Sequence, residues 1–335
     1  MRRLRSGESA MRVVALEEHF LVPSLIRERF DPANLNMVWL KPALEAQLAD
    51  LGENRLGDMD EGGITQQIIS ASMPGADLLE GDNAVEFAQR TNDRLAEAVR
   101  SHPDRFGGFA HLPMRSPQAA ADELERAVRD LGFHGAMING TTEGRFLDDP
   151  RFAPILQRAT ALEVPVYIHP NIPPKSVYEA YFGDLPKAYG QLLAAGLFGW
   201  HSETGIHVLR LALAGIFEQY PKLTLIVGHM GEMLPFMLGR VDSVMMGPHG
   251  GSDRPLSKTI VDHVYITTSG FFTVPPFVTA LMTFGADRIM FSVDYPYSSN
   301  LPGKALLDVL PVSASDRAKI AHGNADRVLK LRSMK

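Results

Sequence analysis

Short apolar, β-branched runs recur along this chain with helix-patterned segments between most of them, and that recurrence limits the fold more than any other feature. The runs are "RVVAL" (12–16), "TQQIISA" (65–71), "FGGFAHL" (106–112), "GAMIN" (135–139), "VPVYIH" (164–169), "LTLIVGH" (223–229), "HVYITTS" (263–269) and "RIMFSVD" (288–294). Each has strand length. Between them, residues 83–103, 116–132, 204–221 and 275–286 place apolar side chains at helical spacing. Ser116 and Pro117 read as the N-cap and first position of the second of these helices, and Gly132 as its end. Strands separated by helices imply parallel βαβ units. Eight units predict an α/β fold of the (β/α)8 TIM-barrel type. The alternative is a doubly wound open sheet. It would lack the closing eighth strand and usually carries a glycine-rich phosphate loop, which is missing after the first run here. Irregular insertions are expected at 20–62, 171–203 and 246–262.

Composition removes several functional classes. The net charge of −6 offers no basic stripe for nucleic acid. The absence of cysteine excludes disulfides, thiolate zinc sites and a cysteine nucleophile, and it suits a reducing cytoplasm. No apolar run approaches membrane-span length, so no membrane partner is expected. The basic start "MRRLRSGESA" leads only into the four apolar residues "VVAL", too few for a signal peptide. Residues 1–10 therefore read as a disordered extension before a single barrel domain, 11–335.

Four strand ends carry ionisable side chains. Strand 1 runs into Glu17, Glu18 and His19, strand 5 ends at His169, strand 6 at His229 and strand 8 at Asp294. In a barrel these ends converge on one face. Alternation places Glu17 and His19 on the same side and turns Glu18 away, to pack or pair behind the strand. With His169 and Asp294 the set becomes two imidazoles and two carboxylates, suited to one zinc or manganese ion. A strand-end histidine alone is more often structural. Four strands delivering such groups at the same end outweigh that reading. His229 is left as a catalytic or supporting group, with Glu232 three residues later able to fix its tautomer. Glu232 could instead serve only the helix dipole. Arg240, two turns further, could grip a substrate carboxylate or pair with a surface acid. Strand 4 ends in Asn139 without a lysine, which favours one metal ion over two.

At these residues the chain resembles the amidohydrolase superfamily, in the amidohydrolase-2 group and its non-oxidative decarboxylase branch. The resemblance runs from "VALEEHF" (14–20) to "GNADRVLKL" (323–331), through "LGFHGAMING", "FEQYPKLTLIVGHMGEMLPFMLGRVD", "VYITTSGFF" and "GADRIMFSVDYP". The E-x-H of strand 1, in place of H-x-H, points to the hydroxybenzoate branch. The resemblance implies a mononuclear Mn2+ or Zn2+ site on Glu17, His19, His169 and Asp294. It also implies catalytic roles for Asp294, His229 and Glu232, and substrate contacts from Arg240, His229, Phe20 and His111. The chain departs from the branch pattern at His111, at Met245 and in "SVDYPY", positions that bear on the ring or the subunit interface. The reaction implied is loss of CO2 from a small aromatic carboxylate, with Asp294 protonating the ring carbon and His229 assisting. The residues alone equally permit a metal hydrolase of an ester, lactone or amide. A non-catalytic metal-binding barrel explains the cluster poorly. Related enzymes are dimers or tetramers, so a homo-oligomer is expected.

Overall fold

The structure, a computed structural model, describes residues 11–31, 40–248 and 250–331; the expectation about residues 1–10 lies outside them. All eight expected strands form: β1 (Val14–Phe20), β2 (Gln66–Ala71), β3 (Phe106–Gly108), β4 (Ala136–Asn139), β5 (Val166–His169), β6 (Leu225–Val227), β7 (Val264–Thr267) and β8 (Ile289–Met290). They pair in parallel in two runs, β1-β2-β3 and β4-β5-β6-β7-β8. A parallel bridge between Ala110 and Ala136 joins β3 to β4. Strand pairing and this bridge thus join every neighbour except β8 and β1, where side chains and a single backbone bond past the strand ends take over.

That seam explains the local sequence. The register of β1 on β2 shifts between Ala15 and Glu18, a bulge. The Leu16 and Glu17 amides donate to Ser292 Oγ at 3.2 and 2.6 Å. The Glu18 carboxylate accepts from the Val293 and Tyr295 amides at 2.9 and 3.0 Å. The His19 amide donates to the Tyr295 carbonyl at 2.7 Å. Glu18 does turn from the mouth, opposite to Glu17 and His19, and its carboxylate stands in for the missing ladder. Burial pushes its carboxyl up to about 8, against these hydrogen bonds.

The interior of the barrel is filled by Val14, Leu16, Ile68, Phe109, Met137, Tyr167, Ile226, Tyr265 and Met290, with Leu329 and Leu331 from the C-terminal segment packed against them. A larger apolar layer lies between strands and helices. Helices Gly81–Ser101, Pro117–Arg129, Gly199–Leu213 and Val274–Phe284 answer to the four predicted ones. Ser116 takes the N-cap position without a side-chain hydrogen bond. The predicted helix at 204–221 starts earlier, at Gly199, and breaks at Gly215, whose φ is +73°. The insertions expected to be irregular are partly helical, for example at Lys175–Phe182 and Leu256–His263. Among the described residues no helix is long and apolar enough to cross a membrane.

Candidate metal centre

At the C-terminal mouth of the barrel, ligand atoms of Glu17, His19, His169 and Asp294 all lie within 4.8 Å of one another. His19 Nε2 is 3.1 Å from Asp294 Oδ1, and His169 Nε2 is 3.4 Å from Glu17 Oε1. Each reaches the mouth for a local reason. Tyr167 and His169 share the inner face of β5 by strict alternation. Asp294 follows β8 with φ of +73°, a left-handed conformation that turns its carboxylate inward. Glu17 depends on the bulge: strict continuation from the inward Val14 and Leu16 would send Glu18 inside instead. Arg55, fully buried, pins the strand end by donating to the His19 carbonyl at 2.5 Å.

The cluster fits a divalent cation. Glu17 Oε1, His19 Nε2 and Asp294 Oδ1 are buried without a hydrogen-bond partner. Such orphans cost about 1–3 kcal/mol each unless something satisfies them. The other Glu17 oxygen is fully occupied, accepting from the Tyr167 and Ser269 hydroxyls and from Thr267 Oγ1 at 3.4 Å. That shell aims Oε1 at the common point, as outer-shell donors do for metal-binding carboxylates. Gly228 leaves room for it, because a Cβ there would stand 2.4 Å from Glu17 Oε2. Burial, with His19 and His229 nearby, holds His169 well below the ordinary imidazole value, so its lone pair is free to ligate. Burial opposes the charge on Asp294, yet the His19 and His229 rings keep it well below the usual carboxylate range.

His229 borders this cluster, its Nε2 3.6 Å from Glu17 Oε1 and 3.8 Å from Asp294 Oδ2. Its Nδ1 donates to Glu232 Oε1 at 2.6 Å, the pairing expected from their spacing. The intervening backbone is not the first turn of a helix, as the sequence suggested. His229, Met230, Gly231, Glu232 and Met233 all have positive φ, a left-handed turn ahead of the helix Leu234–Met245. Glu232 therefore lies outside that helix, one residue before its N-cap Met233. Burial works against the His229 proton, but the nearby Glu17, Glu232 and Asp294 carboxylates, Glu232 through a hydrogen bond, raise it well above the ordinary value. On the protein's own groups, the mobile proton sits on His229 and Asp294 is ionised. Phe271 and Tyr297 wall the mouth, edge-on to His229 at 6.0 Å and to His19 at 5.4 Å.

Three expected substrate contacts do not join this group. Phe20 follows His19 and points the opposite way, into the layer between strands and helices. His111 is buried, and its Nε2 accepts the Ala76 amide at 2.9 Å, so the ring props up the segment after β2. Arg240 is exposed on the helix Leu234–Met245. The sequence reading missed Tyr167, Ser269 and His201. The first two were accessible to it, since each lies two residues from an inward-facing group. His201 carried no pattern at all.

Comparisons with known proteins place the fold in one family. The amidohydrolase family model matches residues 36–331. The chain is 36% identical to the decarboxylase orsB of Emericella nidulans, over 96% of this chain and 98% of that one. It is 36% identical to γ-resorcylate decarboxylase of a Rhizobium species, over 95% and 98%. Among solved structures, a dihydroxybenzoic acid decarboxylase from Polaromonas, with bound manganese and the inhibitor 2-nitroresorcinol, superposes with a TM-score of 0.85. That pair shares 36% identity, covering 96% of this chain and 98% of the other.

Proposed function

The chain belongs to the amidohydrolase family, and we propose that it is a metal-dependent, non-oxidative decarboxylase of a hydroxybenzoate-type acid. The observation that carries the reading is the cluster of orphaned donors on Glu17, His19 and Asp294, walled by aromatic rings, in a chain whose full-length relatives are decarboxylases. Glu17, His19, His169 and Asp294 would hold one Mn2+ or Zn2+. Their two carboxylates, and the manganese in the Polaromonas structure, favour Mn2+. Such an ion supplies electrostatic stabilisation of the negative charge on the substrate's oxygens.

The protein's own groups then manage a proton. Asp294, ionised at rest, takes it from His229 and delivers it to the ring carbon that bears the carboxylate; the C–C bond breaks, CO2 leaves, and the electron pair of that bond restores the aromatic ring. Asp294 is recharged from His229 Nε2, and Glu232 keeps the His229 ring aligned. Each step is reversible. Phe271 and Tyr297, edge-on to His229 and His19, would flank the ring. Arg240, exposed on the helix that follows the His229 turn, could meet a substrate carboxylate of a neighbouring copy. The exposed apolar residues on its helix, with Phe236 81% exposed, support a homodimer or homotetramer. The lack of cysteine supports a cytoplasmic setting.

The test is a panel of 2-hydroxy- and 2,6-dihydroxybenzoates, with CO2 release and phenol formation measured on the Mn2+-loaded protein. Cleavage of esters or lactones with no CO2 from any acid would overturn the reading in favour of a hydrolase.

A further inference from the structure

The insertion after β5 brings one imidazole to the site that no sequence pattern announced. His201 lies in the first turn of the helix Gly199–Leu213 and is 6% exposed. Its Nδ1 is 2.5 Å from Glu232 Oε2, while His229 Nδ1 is 2.6 Å from Glu232 Oε1. An ionised carboxylate only accepts, so both ring nitrogens donate, and Glu232 is clamped through both oxygens. Behind it, the Trp200 indole N–H reaches His201 Nε2 at 3.1 Å. Phe271 closes edge-on over both imidazoles, at 5.7 and 6.0 Å. Gly205, one turn along the same helix, permits the close approach: a Cβ there would be 2.8 Å from the Glu232 carbonyl.

The contrast with the metal centre sets the role. The donor atoms of His201, His229 and Glu232 also lie within 4.8 Å of one another, yet they are already joined by short hydrogen bonds, which leaves nothing for an ion to satisfy. Meanwhile the turn that carries His229 and Glu232 places four non-glycine residues in the left-handed region. Such backbone persists only where surrounding contacts over-determine it. His201 is such a contact, acting on a side chain of the turn.

We infer that His201 is a positioning residue for His229. By holding Glu232 Oε2 it sets the plane of the carboxylate, keeps Oε1 on His229 Nδ1, and so keeps His229 Nε2 facing Asp294. The kinetic arm of its test rests on the decarboxylase reading; a structural arm does not. In the Mn2+-loaded full chain, His201→Ala should lower kcat by about 10- to 100-fold, with KM within about twofold, as for other supporting partners of active groups. His201→Asn places an amide N–H where Nδ1 stands and should restore most of the loss. His201→Gln, whose amide falls on the Nε2 side, should not, and it carries the test if the alanine variant does not fold. Crystal structures of the loss variants should show Glu232 turned off His229. Wild-type kcat in the loss variants, no advantage of Asn over Gln, or an undisturbed Glu232–His229 contact would each overturn the inference. Should the wild type release CO2 from no hydroxybenzoate, the functional reading fails, and the crystallographic comparison still decides the role of His201.

Discussion

Two buried polar clusters sit at strand C-termini of this barrel, and they are finished differently. One, at the ends of β1, β5 and β8, leaves Glu17 Oε1, His19 Nε2 and Asp294 Oδ1 without partners. The other lies after β3. There Asn92 donates to the His111 carbonyl at 2.9 Å and to Glu123 at 2.6 Å, the His111 amide returns a bond to Asn92 at 2.8 Å, and Arg126 grips both Glu123 oxygens. No side-chain atom of His111, Asn92 or Glu123 is orphaned. Both clusters contain a strand-end histidine and a carboxylate. Only the open one has spare bonding capacity aimed at a common point, so the satisfaction of polar atoms, more than residue type, separates chemistry from scaffolding.

The sharpest way to break this contrast is to empty the open cluster. Chelation of metal should abolish CO2 release, and one equivalent of Mn2+ per chain, counted by elemental analysis, should restore it; full activity without metal would end the distinction. Next in size, Asp294→Asn should lower kcat about 10²- to 10⁴-fold, the usual span for a general acid, with circular dichroism and melting unchanged. The closed cluster should respond in the opposite currency. His111→Ala leaves the Ala76 amide unsatisfied and opens a cavity, so chemical denaturation should show a loss of about 3 kcal/mol while kcat of the folded fraction holds.

A smaller effect is expected at a further buried histidine, one whose Nδ1 has no partner. His207 Nε2 accepts the Leu147 amide at 2.9 Å, and burial brings its value down to about 3 from the ordinary 6.5. The unfolded chain therefore binds a proton below pH 6.5 that the folded chain refuses until about pH 3. Stability from this group is present above pH 6.5 and is lost as pH falls toward 3. Between pH 6.5 and 5 the wild type should lose about 2 kcal/mol more than His207→Gln, measured by denaturation at both pH values.

The strands, most helices and the four mouth residues were legible because each depends on local pattern: apolar runs, helical spacing, and an ionisable group where a strand ends. The spacing of His229 and Glu232 also predicted their contact, although through a left-handed turn and not a helical one. Phe20 could have been rejected by the alternation that selected His19. His111 could not, because its occupation by the Ala76 amide comes from a segment 35 residues away.

By itself, then, the sequence determined eight strands, their parallel order and the kinds of side chain at their ends, since period and composition act over a few residues. Tertiary structure decided which of those side chains face the mouth. A bulge in β1, set by the Ser292 hydroxyl and the Glu18 carboxylate bridging to β8, turned Glu17 inward. It also decided which atoms remained unsatisfied, and it brought His201 to Glu232 from another helix. Hydrogen-bond satisfaction is a property of neighbours in space, and no periodicity along the chain encodes it.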